Sequence, residues 1–323
     1  LPERHLFTTA GLERLLQKRG IRVDRALLPR RTELSSIRSY FDRTQNTLFL
    51  NASLSPAQEN FLLAKELGFQ HLELAERPCE TRMVDIDSFD KLLNNFHASY
   101  FSVALLLDEV AIVEEVEQLA QQERWQPELL PDLLDKYGVT PEMLLQRLAN
   151  ILPAHFGVND LFFLRFYTGP DMHKYIMTKE MHLSQLHNPH ANQLDEHYCR
   201  RWISINIIRQ LRARQGIEDT PGPIADVQVS RYWGSKNSYL CFAMATVGRD
   251  DPDGTNSVTI GLLVNERLRR PFRFLDDPAL RFRDVHTTCE RCPIAECEAR
   301  AYPPVHLERE RAERRIVETL AAL

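Results

Sequence analysis

Residues Phe61–Leu72 read Phe-Leu-Leu-Ala-Lys-Glu-Leu-Gly-Phe-Gln-His-Leu. A helix that holds a catalytic zinc carries His-Glu-x-x-His. Histidines four residues apart share one face and grip the ion, and the Glu acts as base. The frame is kept here and the ligands are not. Lys65 stands in the first His place, Glu66 in the base place and Phe69 in the second His place. Neither an ammonium nor a phenyl ring ligates zinc, and His71, six residues after Lys65, lies off that face. Read alone, the stretch is equally an amphipathic helix with Leu63, Leu67 and Leu74 in the core.

Local signals extend the reading outward. Ser55-Pro56 supplies an N-cap and a proline in the first turn, and the helix they open runs to about Leu74. Leu6–Gly20 has a helical apolar stripe, and Ile21–Val23 and Thr47–Leu50 read as short strands around the polar stretch Thr32–Ser39. Further helices are expected over Ser88–Leu107, over Ile112–Gln121, and twice within Pro127–Leu152, broken at Gly138. After Asn159 the texture changes. Leu161–Tyr167, Asp226–Trp233, Ser238–Val247, Ser257–Val264 and Phe272–Leu275 read as strands, with a helix over Glu196–Arg214 and a charged terminal helix over Arg309–Leu323.

Three of the six cysteines are crowded together as Cys289-x2-Cys292-x4-Cys297, with Pro293 turning the chain. Three thiolates so spaced can face one centre, and zinc or an iron–sulfur cluster would want a fourth ligand. Cys241 lies in an apolar strand pattern and Cys79 in a distant loop. Cys199, within His197-Tyr-Cys-Arg-Arg-Trp202, is the chosen fourth ligand, and His286 is the best candidate that is not a cysteine. Spacing alone does not separate cluster from zinc.

Composition excludes other classes. Net charge is −5, with 43% apolar and 26% charged residues, and 16 Phe, 9 Tyr and 3 Trp are spread along the chain. Dominant disorder and bulk nucleic-acid affinity are both disfavoured. The most apolar run, Phe101–Leu107, is far short of a membrane span, so no membrane partner is expected. Sparse cysteines and the absence of a leader-like start point to a cytoplasmic chain. Arginine outnumbers lysine 33 to 7, and Arg suits flat, bidentate contact with phosphate or carboxylate.

Two resemblances draw these readings together. FLLAKELGFQHL, followed by Asn94–Leu107 (NNFHASYFSVALLL) and Leu134–Leu152 (LDKYGVTPEMLLQRLANIL), is similar to the ImmA/IrrE metallopeptidases. Asn94, Asn95 and His97 stand where that family carries an acidic ligand, so peptidase chemistry is expected to be lost while the fold is kept. Over nearly the whole chain, FLLAKELGFQ, Leu186–Trp202 (LHNPHANQLDEHYCRRW), Asn256–Asn265 (NSVTIGLLVN) and Cys289–Pro304 (CERCPIAECEARAYPP) resemble the RamB- and PrpR-like short-chain fatty-acyl-responsive transcriptional regulators. In these an Xre-type helix-turn-helix precedes an ImmA/IrrE-like domain.

The expected architecture is α+β. A mainly helical, degenerate zincin-like domain (1–155) precedes an α+β sensor domain with an antiparallel sheet (156–284) and a cysteine-cluster segment with a terminal helix (285–323). The resemblance implies a non-enzymatic sensor of coenzyme A or short-chain acyl-CoA, a 4Fe-4S cluster on Cys289, Cys292 and Cys297 with Cys199 as the matching upstream cysteine, and a homo-oligomer. Operator DNA would be held only through a helix-turn-helix that does not lie in this sequence. Arg200, Arg201 and Arg231 are the candidates for the coenzyme A phosphates, and Trp202 and Trp233 for stacking on adenine. A zinc-dependent peptidase and a zinc-stapled interaction domain are the alternatives.

Overall fold

The computed structural model describes residues 7–323 other than 31, 35, 82, 84, 85, 173, 184–195, 216–221 and 249–253. In chain order the first part carries α1 (Thr9–Gln17), β1 (Arg22–Asp24), β2 (Ser39–Asp42), β3 (Thr47–Leu50), α2 (Pro56–His71), α3 (Phe89–Leu106), α4 (Glu109–Gln121), α5 (Leu129–Tyr137) and α6 (Pro141–Phe156). The second part carries β4 (Leu161–Thr168), β5 (Tyr175–His182), α7 (Ile203–Gln215), β6 (Ile224–Tyr232), β7 (Ser238–Val247), β8 (Thr255–Leu263), α8 (Glu266–Arg269), β9 (Phe282–Val285) and α9 (Val305–Ala321). The chain divides into two compact units. One spans residues 1–116, 129–151 and 249–252; the other spans 117–128, 152–248 and 253–323.

In the first unit, α2 starts as its residues dictate. Ser55 Oγ accepts from Gln58 N–H while the Gln58 side chain accepts from Ser55 N–H, a reciprocal cap that meets two otherwise orphaned donors. Leu63, Ala64 and Leu67 are buried. Gly68 lets α3 come close, since a Cβ there would fall 2.9 Å from the Phe101 ring and 3.1 Å from the Ala98 carbonyl oxygen. A three-stranded sheet, ordered β1-β3-β2, pairs β1 with β3 in parallel and β2 with β3 antiparallel. The outer edge of β2 is covered by the chain's own residues 79–81. Phe41 N–H donates to the Cys79 carbonyl (2.8 Å), Thr81 N–H donates to the Ser39 carbonyl (3.2 Å), and Tyr40 bridges to Glu80. We call residues 77–81 the strap.

The second unit is a six-stranded sheet ordered β5-β4-β8-β7-β6-β9, antiparallel except where β9 runs parallel to β6. Helix α7 packs Ile203, Ile207, Ile208 and Leu211 into a core with Phe162, Phe166 and Tyr239. Ser257 Oγ donates to the Ser204 carbonyl and Thr259 Oγ1 to Ser204 Oγ, which pins the first turn of α7 to β8. Gly261 lies beneath its cross-strand partner Phe162, where any Cβ would fall 2.1 Å from the ring.

Several expectations need correction. Phe272–Leu275 is not a strand: Arg273–Asp276 is a 3-10 turn after α8, and Phe272 and Phe274 are buried edge to face rather than alternating across a sheet. The helix expected over Glu196–Arg214 begins only at Ile203, because residues 197–199 are extended and pair with 287–289. Three strands were not foreseen: β2, β5 and β9. Part of the Leu186–Trp202 motif, residues 186–195, lies outside the described residues, as do Leu6 and Asp253.

Candidate functional site

On the face of α2 where a zinc would sit, Glu66 is 2% exposed and is gripped by Arg77, itself 6% exposed. Arg77 Nη1 donates to Glu66 Oε1 at 2.8 Å and Nη2 donates to Oε2, while Gln70 Nε2 donates to Oε1 at 2.8 Å. The guanidinium is clamped between two rings, 3.8 Å from the Phe69 centroid and 4.7 Å from that of Phe41. The position that would ligate metal thus carries a ring stacked on a cation, and the position that would act as base is tied to the same cation. Lys65 lies 5.8 Å from the Phe69 centroid, and burial pushes its ammonium down to about 8, with Arg77 acting in the same direction. Asn95 faces the same cavity, while Asn94 Nδ2 donates to the Glu76 carbonyl. His71 packs on Phe101, away from Glu66. Arg77 carried no signal in the sequence: it follows Glu66 by eleven residues in an irregular segment.

In the second unit, backbone pairing carries Cys199 to the cysteine loop. Cys199 N–H donates to the Thr287 carbonyl (3.1 Å) and Cys289 N–H to the His197 carbonyl (2.9 Å), around the Tyr198–Thr288 bridge. Cys199, Cys289 and Cys292 are buried and Cys297 is half-buried. Burial pushes the Cys199 thiol up to about 11, and the Cys289 and Cys292 thiols add to the shift. Burial also raises Cys292, with Cys297 and Cys289 contributing. Cys199 is thus in electrostatic reach of Cys289 and Cys292, and Cys292 of Cys297 and Cys289. Burial lowers the His286 imidazole, with Arg291 acting in the same direction, and its Nδ1 meets Thr287 Oγ1 at 3.3 Å.

Among the described residues no set of three or more His, Cys, Asp or Glu side chains stands in metal-holding geometry. The donor chemistry nevertheless fits an iron–sulfur cluster or zinc, being four thiols with no competing carboxylate in the set.

Charged groups brace the loop. Arg300 Nη1 donates to the Cys289 carbonyl (3.1 Å), and Nη2 donates to those of Cys292 (3.2 Å) and Ile294 (2.6 Å). The Glu196 side chain, fully buried, accepts from Thr288 Oγ1 and from Arg291, and His306 lies 3.7 Å away. The first turn of α9 is held by the Glu290 carbonyl, which accepts from the N–H groups of His306 and Leu307. Glu290 Oε1 in turn meets His197 Nδ1 at 2.6 Å.

The candidate ligand contacts separate. Arg201 donates to the Asp284 carbonyl, Arg231 forms a two-pronged pair with the Asp284 carboxylate, and Trp233 N–H donates to the Val285 carbonyl. These three therefore gather at the end of β9. Arg281 and Arg283, which the sequence reading missed, lie at the other end of the same strand: Arg281 Nη1 donates to Asp226 Oδ2 at 3.1 Å, and burial lowers Arg283, with Arg281 and Arg201 adding to the effect. Arg200 turns the other way, 4.3 Å over the Tyr175 ring. Trp202 is 3% exposed, gives its Nε1–H to the His286 carbonyl and packs against Phe166 and Tyr198. Its ring is committed to the core, and Trp233, half exposed, is the free indole face of the pair.

The sequence profile of the IrrE N-terminal-like domain of the M78 peptidases matches residues 18–149. No curated protein matches the chain. A solved Mycobacterium tuberculosis transcriptional regulator shares the fold, with a TM-score of 0.59 at 18% identity over 91% of this chain and 82% of that one. Among the described residues no single helix is long and apolar enough to cross a membrane.

Proposed function

With an IrrE N-terminal-like domain at residues 18–149 joined to a sheet-bearing unit as premise, we propose that the chain is the ligand-sensing part of a transcriptional regulator of short-chain acyl-CoA metabolism. In this reading the first unit is a scaffold without peptidase activity. The second binds coenzyme A or a short-chain acyl-CoA and holds a 4Fe-4S cluster on Cys199, Cys289, Cys292 and Cys297. Operator DNA would be engaged by a helix-turn-helix outside this sequence, in a homo-oligomer. The observation that carries the reading is the pairing of residues 197–199 with 287–289, which brings a distant cysteine to the three-cysteine loop. The Glu66–Arg77 pair supports the loss of catalysis, because the general base of a zinc peptidase must face a metal-bound water.

The roles of the chain's own residues follow from where they sit. When bound, the cluster would cross-link the four thiolates and supply a one-electron centre. Arg300 fixes the loop carbonyls, and Glu196 with Arg291 couples the loop to α9. Arg201 and Arg283 present guanidinium groups suited to phosphates, Arg231 and Arg281 would have to share theirs with the Asp284 and Asp226 carboxylates, and Trp233 offers an open ring for a base. Binding changes assembly only if the ligand prefers one of two states.

The test is purification without oxygen, with visible spectrum, iron, sulfide and zinc content, followed by an acyl-CoA series read by thermal shift. A brown chain with about four iron and four sulfide, stabilised by an acyl-CoA, is expected. A colourless chain with about one zinc overturns the cluster in favour of a zinc staple, and the absence of any shift overturns the ligand.

A further inference from the structure

Between β2, α2 and the strap lies a cavity of about 20 Å³ whose walls include Lys65, Glu66, Arg77, Cys79, Glu80 and Asn95. That is room for one or two water-sized groups. Two buried atoms in the wall have no hydrogen-bond partner: Arg77 Nε, a donor, and Asn95 Oδ1, an acceptor. Each unmet group has given up water without gaining a partner, which is destabilising. Lys65 shares the cavity and makes no hydrogen bond or ion pair among the described residues; its contacts are the rings of Phe61 and Phe69, with centroids 6.0 and 5.8 Å away.

The wall thus offers one donor and one acceptor beside a half-buried amine. A secondary amide on that amine supplies the complement, a carbonyl oxygen and an N–H, and it removes a desolvated charge. We propose that Lys65 is a site of Nε-acylation by a small acyl thioester, the new amide's carbonyl oxygen accepting from Arg77 Nε–H and its N–H donating to Asn95 Oδ1. The free amine nitrogen attacks the thioester carbonyl carbon. The N–C bond forms, the C–S bond breaks, and the amine proton leaves with sulfur as the free thiol, so no oxidant or reductant is consumed. Burial lowers Lys65 to about 8 against the opposing pull of Glu66 and Glu80, which raises the share of nucleophilic amine near neutrality. The size of the cavity limits the acyl group to the smallest, acetyl.

The intact chain is incubated with acetyl-CoA and its acetylation mapped by peptide mass spectrometry, with the other six lysines as internal reference. Lys65 is expected to react about tenfold faster than the exposed Lys136, and the acetylated chain to melt above the unmodified one. In Asn95→Ala that melting gain shrinks. Equal rates at Lys65 and Lys136 overturn the proposal. So does label confined to Cys79 as a hydroxylamine-labile thioester, or an acetylated chain that melts no higher, the outcome expected if water alone completes the cavity.

Discussion

The guanidinium carbon of Arg77 lies 3.8 Å from the ring centroid of Phe69. In the His-Glu-x-x-His register Phe69 falls where the second histidine would, so an organic cation from the chain itself stands against that position and also neutralises Glu66. Restoring the ligand pattern with Lys65→His and Phe69→His therefore leaves a positive charge in competition with the metal. The double variant should take up well under one zinc per chain after dialysis, by atomic absorption; full occupancy with Arg77 in place would refute this. Arg77→Ala in the unaltered chain strands the buried Glu66 carboxylate, at about 3–5 kcal/mol in urea unfolding. Arg77→Lys recovers only part of this, because an ammonium cannot form the two-pronged contact.

Lys65 sets a pH dependence. Its folded value, about 8, lies below the ordinary 10.5. Below pH 8 both folded and unfolded chains carry the proton, and the folded chain bears the cost of a charge held out of water. Between 8 and 10.5 the unfolded chain binds more protons, so stability rises with pH, by at most about 3 kcal/mol. Lys65→Met lacks this term. The variant should be more stable than the wild type below pH 8 and should lose that advantage above pH 10.5, as read from paired urea midpoints.

The cysteines separate by substitution. Cys292→Ser and Cys199→Ser should each abolish stoichiometric iron and weaken acyl-CoA binding, measured by calorimetry on anaerobic protein. His286→Ala should retain both, since its ring Nδ1 meets Thr287 Oγ1 at 3.3 Å. Unchanged acyl-CoA affinity in an iron-free Cys292→Ser chain would break the coupling between the two sites.

Glu196 holds the cysteine loop to α9. Glu196→Ala leaves Arg291 with Glu310 alone, 3.9 Å away, takes the acceptor from Thr288 and removes the carboxylate facing His306. Amide hydrogen exchange at His306 and Leu307 should accelerate, tenfold for about each 1.4 kcal/mol of local stability lost. Exchange at wild-type rates would mean that the Glu290 carbonyl anchors the helix unaided.

What the sequence disclosed was local. Ser55-Pro56 announced α2 because a cap needs only the next three residues, and the runs at Leu161–Tyr167 and Ser238–Val247 are apolar enough to be strands in any sheet. Strand β9 was illegible: its four residues, Phe-Arg-Asp-Val, become a strand through parallel pairing with β6, whose partner residues lie some fifty positions earlier. Strand β5 carries Thr178, Lys179 and Glu180 at a sheet edge, where polar residues are tolerated and periodicity fades. Phe272 and Phe274 mimicked strand alternation while a helical turn buried both. At the candidate site the chemistry-bearing types could be named in advance, Lys65, Glu66, Phe69 and the cysteines among them. The pairing of Arg77 with Glu66 and of residues 197–199 with 287–289 are long-range facts that no local pattern encodes.

Arg300 adds a consequence for the order of events. Its fork accepts no choice of shape: three carbonyls, from Cys289, Cys292 and Ile294, must converge on one planar group. The backbone of the loop is therefore cast around a permanent protein cation rather than around its thiols alone. Under the function proposed above, a cluster would arrive at a backbone whose course Arg300 has already set.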